Sequence, residues 1–258
     1  DLHLLSRRQR QMCIRDSEYA ERLRREALSC PVRPECPLAF LCASCVGTDR
    51  YALPTFIDFD YGHMAWTDLT LRPCVFVVRS GLLIAKAYGN DGVEIPYHVS
   101  GRGSVSGIAE IYGLYTASNF NFLSGLVPGR LCSFDSSFVK KRLNDLPGLE
   151  GHRLTARISL NHTTSTYGQL LTLSHAKARD RVASVLVRLD AMLGREEDCG
   201  HVLPIAHGDV AFIASLRRTT VSCELKALAE EGMLHLGYRR IELLESFIEA
   251  VSYTHLTL

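Results

Sequence analysis

Long hydrophobic runs are absent from this sequence. None of its 258 residues lies in a stretch of about 18 consecutive apolar residues, the length that a membrane-spanning helix needs. The charged, apolar and small-residue pattern of a secretory signal is also missing. We therefore expect a cytoplasmic protein with no membrane partner.

The motifs of common catalytic sites are missing as well. The segment GSVSG at 103–107 has the glycines of a nucleophile elbow, but Val105 stands where the serine should be. Gly101 and Gly103 begin a dinucleotide fingerprint, and Ser106 replaces its third glycine. The ten histidines form no HExxH motif. We expect a protein that is not an enzyme.

A strong charge of either sign is likewise absent. The 29 Lys and Arg residues and the 28 Asp and Glu residues leave a net charge of +1, so any nucleic-acid contact must come from a local surface. An apolar content of 47% with 22% charged residues favours folded cores over disorder. The length fits one large or two modest domains.

Both ends of the sequence look foreign to the fold. The segments RRQRQMCIRDS (7–17) and VSYTHLTL (251–258) resemble peptides translated from sequencing-adapter DNA. We expect residues 1–17 and 251–258 to lie outside the native domains.

Cysteine is abundant in what remains. The full sequence has nine cysteines, and eight remain once Cys13 is set aside with the N-terminal segment. In a cytosolic chain, so many cysteines indicate metal or redox chemistry rather than disulfides. Four of them, Cys30, Cys36, Cys42 and Cys45, lie in one proline-interrupted segment. Four thiolates suit an iron–sulfur cluster or zinc, although zinc sites usually pair two Cys-x2–4-Cys knuckles and only Cys42 and Cys45 form one. A cluster, a zinc site and no bound metal all stay open from the residues alone.

The middle of the chain has the pattern of an antiparallel barrel or sandwich. Short β-branched or apolar runs are separated by glycine-rich segments, and GNDG (89–92) is a hairpin signal. The predicted strands are 74–78, 82–88, 93–99 and 130–134.

Helical periodicity follows. Residues 149–173 predict a long helix whose middle, NHTTST (161–166), is rich in poor helix formers. Residues 180–193 carry apolar side chains on one face. Helices at 207–213 and 217–230, with Gly232 as C-cap, precede an alternating segment at 234–244. Helix, turn, helix and wing predict a winged helix-turn-helix, which binds DNA.

These residues resemble the CRP/FNR-type transcription regulators. Leu203-Pro204, Asp209-Val210-Ala211 and Thr220-Val221-Ser222 look like the family's helix-turn-helix, and VVRSGLL (77–83) resembles its barrel hairpin. The resemblance implies an α+β fold that acts as a homodimer on a palindromic operator in double-stranded DNA and contacts RNA polymerase. Its implied parts are a Cys-rich segment at 18–50, a cyclic-nucleotide-binding-like jelly-roll barrel at 51–148, a dimerisation helix at 149–174 and a winged helix-turn-helix at 175–250.

The resemblance also bears on the cofactor. The phosphate cassette of the cyclic-nucleotide members is absent, so no cyclic nucleotide is expected in the usual mode. The oxygen-sensing members hold a [4Fe–4S] cluster on Cys-x2-Cys-x5-Cys plus one barrel cysteine. Cys36 and Cys42 match the x5 spacing, Cys132 matches the barrel ligand, and Arg33 occupies the x2 position. The fourth ligand is then Cys30 or Cys45.

The DNA contacts implied by the resemblance lie on the second helix and the wing. Arg218 is placed to bind guanine bidentately or to contact a phosphate, and both roles stay open. Thr219 and Cys223 stand where the family often has Glu and Arg, which puts the family's usual half-site in doubt. The predicted contact residues are Arg217, Arg218, Thr219, Ser222, Lys226, Arg239 and Arg240.

We therefore expect a DNA-binding regulator whose dimerisation and DNA binding respond to oxygen through an N-terminal Fe–S cluster. One alternative is a regulator of the same family that senses another small ligand or thiol oxidation without a cluster. Another is a ligand-binding barrel protein without sequence-specific DNA binding.

Overall fold

The structure, a computed structural model, describes residues 18–19, 21–23, 25–43, 54–62, 74–112, 122–193, 196–197 and 200–255. Residues 1–17 and Cys45 lie outside these ranges. The helices are α1 (within 18–28), α2 (Ala39–Ala43), α3 (Ile108–Ile111), α4 (Ser136–Asn144), α5 (Glu150–Ser174), α6 (Ala178–Leu193), α7 (His207–Ile213), α8 (Arg218–Glu230) and α9 (Glu245–His255). The strands are β1 (Thr55–Phe59), β2 (Cys74–Tyr88), β3 (Glu94–Ser100), β4 (Val105–Ser106), β5 (Phe122–Asp135), β6 (Glu196–Glu197), β7 (Gly200–Leu203), β8 (Leu234–Gly237) and β9 (Arg240–Leu243). None of the described helices combines the length and apolar content that crossing a membrane requires.

The N-terminal strands form one antiparallel sheet with the order β1-β5-β2-β3, and β4 pairs with β2. The predicted hairpin at 77–83 is wrong, because β2 runs without a break through both predicted strands. Gly81 lies at a bulge rather than a turn. Its φ is 81°, and a Cβ there would meet the carbonyl oxygens of Val127 and Pro128 at 2.6 Å.

Helix α5 spans 25 residues and stays continuous through its weak middle. The hydroxyl of Thr163 donates to the carbonyl of Ser159 at 3.0 Å, and that of Thr166 donates to the carbonyl of His162 at 3.2 Å. These bonds to the preceding turn satisfy the hydroxyls within the helix. The hydroxyl of Ser165 reaches the β3 carbonyl of Val99 at 3.2 Å. The helix middle is thus held against the sheet.

The C-terminal domain is a winged helix-turn-helix. Helices α7 and α8 pack on α6, and the sheet order is β6-β7-β9-β8. Gly232 ends the α8 segment with a φ of 72°, as predicted for a C-cap. The turn between α7 and α8 contains Ser215 at a φ of 51°, in the left-handed region that glycine favours.

Of the three apolar cores among the described residues, two contact the candidate functional residues. The larger core joins α6, α7, α8 and the wing to four residues of the N-terminal sheet: Leu82, Ile84, Val99 and Leu126. The second core lies between α1, α2, the sheet, α4 and α5, and it contains Cys42 with Cys36 and Cys132 at its margin. The two halves of the chain are therefore packed together.

Candidate DNA-binding face and thiol site

The start of helix α8 presents a basic surface. Arg217 is the N-cap residue of this helix, and Arg217, Arg218, Thr219 and Lys226 are all exposed. Burial lowers the pKa of His207, and the nearby charges of Arg218 and Lys226 lower it further. Arg217 and Arg218 thus place positive charge at the end of the helix that reads bases in this motif, and Lys226 adds a cation further along it.

The side chain of Ser222, a predicted DNA contact, already has a partner within the protein. Its hydroxyl lies 3.1 Å from Nδ1 of His207 on α7. This contact joins the two helices and fixes the serine side chain before any DNA is present. The neighbouring Cys223 is exposed on the same helix.

The wing turn lies between β8 and β9. Arg239 has a φ of 49°, and Arg240 is exposed with its guanidinium 3.5 Å from Glu242. Tyr238 is 95% exposed at this turn, beside both arginines. The wing therefore exposes an aromatic ring and the cation of Arg240, whereas Arg239 is half-buried. The tyrosine was not among the predicted contact residues.

Four thiols converge on one small cavity between the N-terminal segment and the sheet. Cys30, Cys36, Cys42 and Cys132 all line it, and its volume is about 20 Å³. Burial raises the pKa of Cys36 to about 11, against a backbone hydrogen bond from Leu38, and the neighbouring thiols raise it further. Burial raises the pKa of Cys132 to about 12, again with the neighbouring thiols adding. Each of these two thiols keeps its proton at neutral pH, so a metal that binds here must displace it.

Two guanidinium groups border the same cavity. Arg33 and Arg79 both line it, and their charges oppose the rise in the pKa of Cys42 that burial causes. Arg79 is held in place because its Nη1 donates to Oε1 of Glu26 at 2.9 Å, and Nη2 donates to the Glu26 carbonyl at 3.1 Å. The residue that replaces the expected cysteine at position 33 is therefore a cation facing the thiol group.

The thiols share a cavity without forming a finished coordination sphere. Within the described ranges, no group of three or more His, Cys, Asp or Glu side chains has the arrangement of a metal site. A volume of about 20 Å³ holds about one water molecule. The chemistry of four thiols suits a thiolate-bound metal, but an iron–sulfur cube would require the loop carrying Cys30 and Cys36 to open around it.

A second, polar cavity of about 270 Å³ lies between α5 and the loop from β3 to β4. His98 and His162 stack at its wall, with ring centroids 4.1 Å apart, and Arg102 and Asn161 also line it. Burial lowers the pKa of His98 to about 3, and the charges of His162 and Arg188 contribute. This pocket could hold a small polar molecule.

Comparison with known protein sequences finds matches to only part of this chain. Residues 180–246 match the family model of the Crp-like helix-turn-helix domain. A cyclic AMP receptor protein of Thermus thermophilus is 36% identical over 86 residues, which cover 33% of this chain and 38% of that protein. The match is thus confined to well under half of the relative.

Solved structures extend the likeness beyond the C-terminal domain. A CRP-family transcriptional regulator of Thermus thermophilus superposes with a TM-score of 0.58 at 19% identity, covering 73% of this chain and 91% of the other. FixK2 of Bradyrhizobium japonicum gives a TM-score of 0.60 at 18% identity, covering 74% and 92%. The chain has the CRP/FNR fold. The expected architecture of sheet domain, long helix and Crp-like helix-turn-helix domain is thereby confirmed, and at these identities the likeness to solved structures concerns the fold.

Of the two cysteines that were alternatives for the fourth ligand, one lies beside Cys36, Cys42 and Cys132 in the structure. Cys30 lines the thiol cavity, while Cys45 lies outside the described residues. A turn in which the amide of Arg33 donates to the carbonyl of Cys30 at 3.1 Å folds the segment back toward Cys36. The functional roles of the predicted DNA contacts and thiols stay predictions.

Proposed function

We propose that this chain is a DNA-binding transcription regulator of the CRP type that acts as a homodimer on a palindromic operator and contacts RNA polymerase. The observation that carries the proposal is the Crp-like helix-turn-helix match at 180–246, with exposed Arg217 and Arg218 at the start of α8. Bases are read from this end of the recognition helix. Arg240 on the wing and Lys226 on α8 are suited to phosphates.

The long helix α5 supports the homodimer. Leu160, Tyr167, Leu170 and Leu171 expose between 47% and 63% of their surface along it. Such large apolar side chains on one helix are more stable when a partner covers them. A second copy of α5 is the partner we propose.

The thiol site supports the regulatory part of the proposal. Cys30, Cys36, Cys42 and Cys132 would hold a [4Fe–4S] cluster, and Arg33 and Arg79 would offset the negative charge of the four thiolates. When bound, such a cluster supplies a group that oxidants attack. Zinc on the same thiols is the metal alternative.

The second core offers a route from the thiols to the dimer helix. Cys42 is buried in the same core as Ile158 of α5, and Leu154 of α5 packs against it. A change in how the cysteine segment packs would therefore change how α5 packs against the N-terminal domain. We propose that the intact site favours the dimer and that its oxidation favours the monomer. A free-energy difference of only about 5 kcal/mol would suffice for this switch.

DNA binding can be tested with a duplex of random sequence and with Arg218→Gln. The native chain should bind with an affinity that falls steeply as salt rises. On this duplex, Arg218→Gln should reduce the salt slope by about 1 if the side chain contacts a phosphate, and should leave the slope unchanged if it reads a base. Lys140→Gln, an equal loss of charge at an exposed position of α4, is the control. Absence of salt-dependent binding would contradict the proposal.

The polar cavity supports a second candidate, a regulator of the same type that senses a small ligand. His98, His162 and Arg102 supply polar groups to this pocket of about 270 Å³. A variant with Cys30, Cys36, Cys42 and Cys132 all changed to serine separates the two candidates. If it binds DNA as the native chain does, both with and without air, the thiol proposal fails and this cavity becomes the candidate sensor.

A further inference from the structure

Tyr61, just after β1 in the N-terminal domain, contacts the DNA-binding domain at two points. Its hydroxyl donates to Oδ1 of Asp209 on α7 at 2.9 Å. The guanidinium carbon of Arg239 in the wing turn lies 4.2 Å from the centre of the Tyr61 ring. One side chain of the sheet domain thus binds both the helix-turn-helix and the wing.

The carboxylate of Asp209 lies next to both Tyr61 and Arg239. It is buried, its Oδ2 accepts a hydrogen bond from the amide of Ala206 at 3.2 Å, and the guanidinium of Arg239 lies 3.9 Å from the same oxygen. Arg239 is therefore covered by an aromatic face and attracted by a carboxylate. Both interactions hold the guanidinium, the group with which an arginine would bind a phosphate, at the domain interface.

A second contact crosses the same interface. Nζ of Lys86 on β2 lies 5.1 Å from the centre of the Phe212 ring on α7. The larger core continues behind it from the sheet into the C-terminal domain. Tyr61 therefore belongs to a docked interface and does not make an isolated surface contact.

We propose that Tyr61 is an autoinhibitory latch that keeps the wing arginine Arg239 from DNA until the N-terminal domain moves. The inference rests on the proposed DNA-binding function. In the latched form Arg239 must leave the Tyr61 ring and Asp209 before it can reach a phosphate.

The test is the affinity of the full chain for a random-sequence duplex, measured by fluorescence anisotropy at low salt. Tyr61→Ala should bind about tenfold more tightly than the native chain, which corresponds to about 1.4 kcal/mol. Tyr61→Phe keeps the ring and loses only the hydroxyl, so its gain should be smaller. Tyr112→Ala, at another exposed tyrosine of the same domain, should change nothing. Tyr61→Ala should also have no effect when combined with Arg239→Gln.

A second readout needs no DNA. The side-chain NMR signal of Arg239, assigned with Arg239→Lys, should show the upfield shift of a group above an aromatic ring and should lose it in Tyr61→Ala. Unchanged or weaker DNA binding by Tyr61→Ala, or an Arg239 signal that does not move, would overturn the latch alone. Failure of every variant and of the native chain to bind duplex DNA would overturn the proposed function and, with it, the latch.

Discussion

Gln169 is a buried polar residue whose loss should lower the stability of the fold. It lies on α5 and is 1% exposed. Its Nε2 donates to the carbonyl of Ile213 at the end of α7 at 2.7 Å. Its Oε1 accepts from Nη1 of Arg188 on α6 at 2.7 Å. One amide thus connects the long helix to two helices of the C-terminal half.

We predict that Gln169→Leu lowers the free energy of unfolding by about 2 kcal/mol. The bond to the neutral carbonyl contributes about 1 kcal/mol, and the charge-assisted bond to Arg188 contributes about 1.5–3 kcal/mol. The larger apolar surface of leucine offsets about 1 kcal/mol of this loss. Burial lowers the pKa of Arg188, and without Gln169 this buried guanidinium keeps only two longer bonds, to the Thr172 hydroxyl and the Ser165 carbonyl, both at 3.3 Å.

Urea unfolding of the native chain, Gln169→Leu, Arg188→Leu and the double variant measures this prediction. Because the bond between Gln169 and Arg188 is lost in each single variant and can be lost only once, the double variant should be less destabilised than the sum of the two single changes. A loss below about 0.5 kcal/mol in Gln169→Leu, or strict additivity in the cycle, would refute the reasoning.

Three further changes are predicted. Ser215→Gly should raise stability by about 0.5 kcal/mol, because relief of the left-handed backbone exceeds the entropy cost of glycine, and a lower midpoint in thermal unfolding would contradict this. His98 is neutral in the fold because burial holds its pKa near 3. The stability that this neutral ring contributes to the fold is complete above the ordinary pKa of 6.5 and is lost as pH falls toward 3. Between pH 7 and pH 5, the free energy of unfolding measured in urea should therefore fall by about 1–2 kcal/mol more for the native chain than for His98→Phe. Equal decreases in the two proteins would contradict the lowered pKa of His98. Leu160→Glu on the exposed face of α5 should shift the chain to monomer in sedimentation velocity, whereas an unchanged dimer would place the interface elsewhere.

The C-terminal elements were predictable because their signals are local. The apolar spacing within 217–230 and the glycine at 232 define helix α8 within one residue of its observed start at Arg218. The long strand β2 was not predictable in the same way. Gly81 reads as a turn from its neighbours, and only the approach of Pro128 on β5 makes it a bulge.

The residues of the candidate sites also differ in whether local sequence signals could predict them. Spacing and resemblance together pointed to Cys36, Cys42 and Cys132, which line one cavity in the structure. The choice of Cys30 depends on a turn at Arg33 that no spacing specifies. The contact of Tyr61 with Asp209 joins residues 148 positions apart, and no periodicity within either segment indicates it.

The most direct test of the thiol proposal is the metal content of the chain purified without oxygen. The account predicts about four irons and about four sulfides per chain, with the visible absorption of an iron–sulfur cluster that air removes. Cys132→Ser should lose the iron, and Cys74→Ser, at a half-buried cysteine that does not line the cavity, should keep it. Zinc in place of iron, a metal-free colourless protein, or equal iron in Cys132→Ser and the native chain would contradict it.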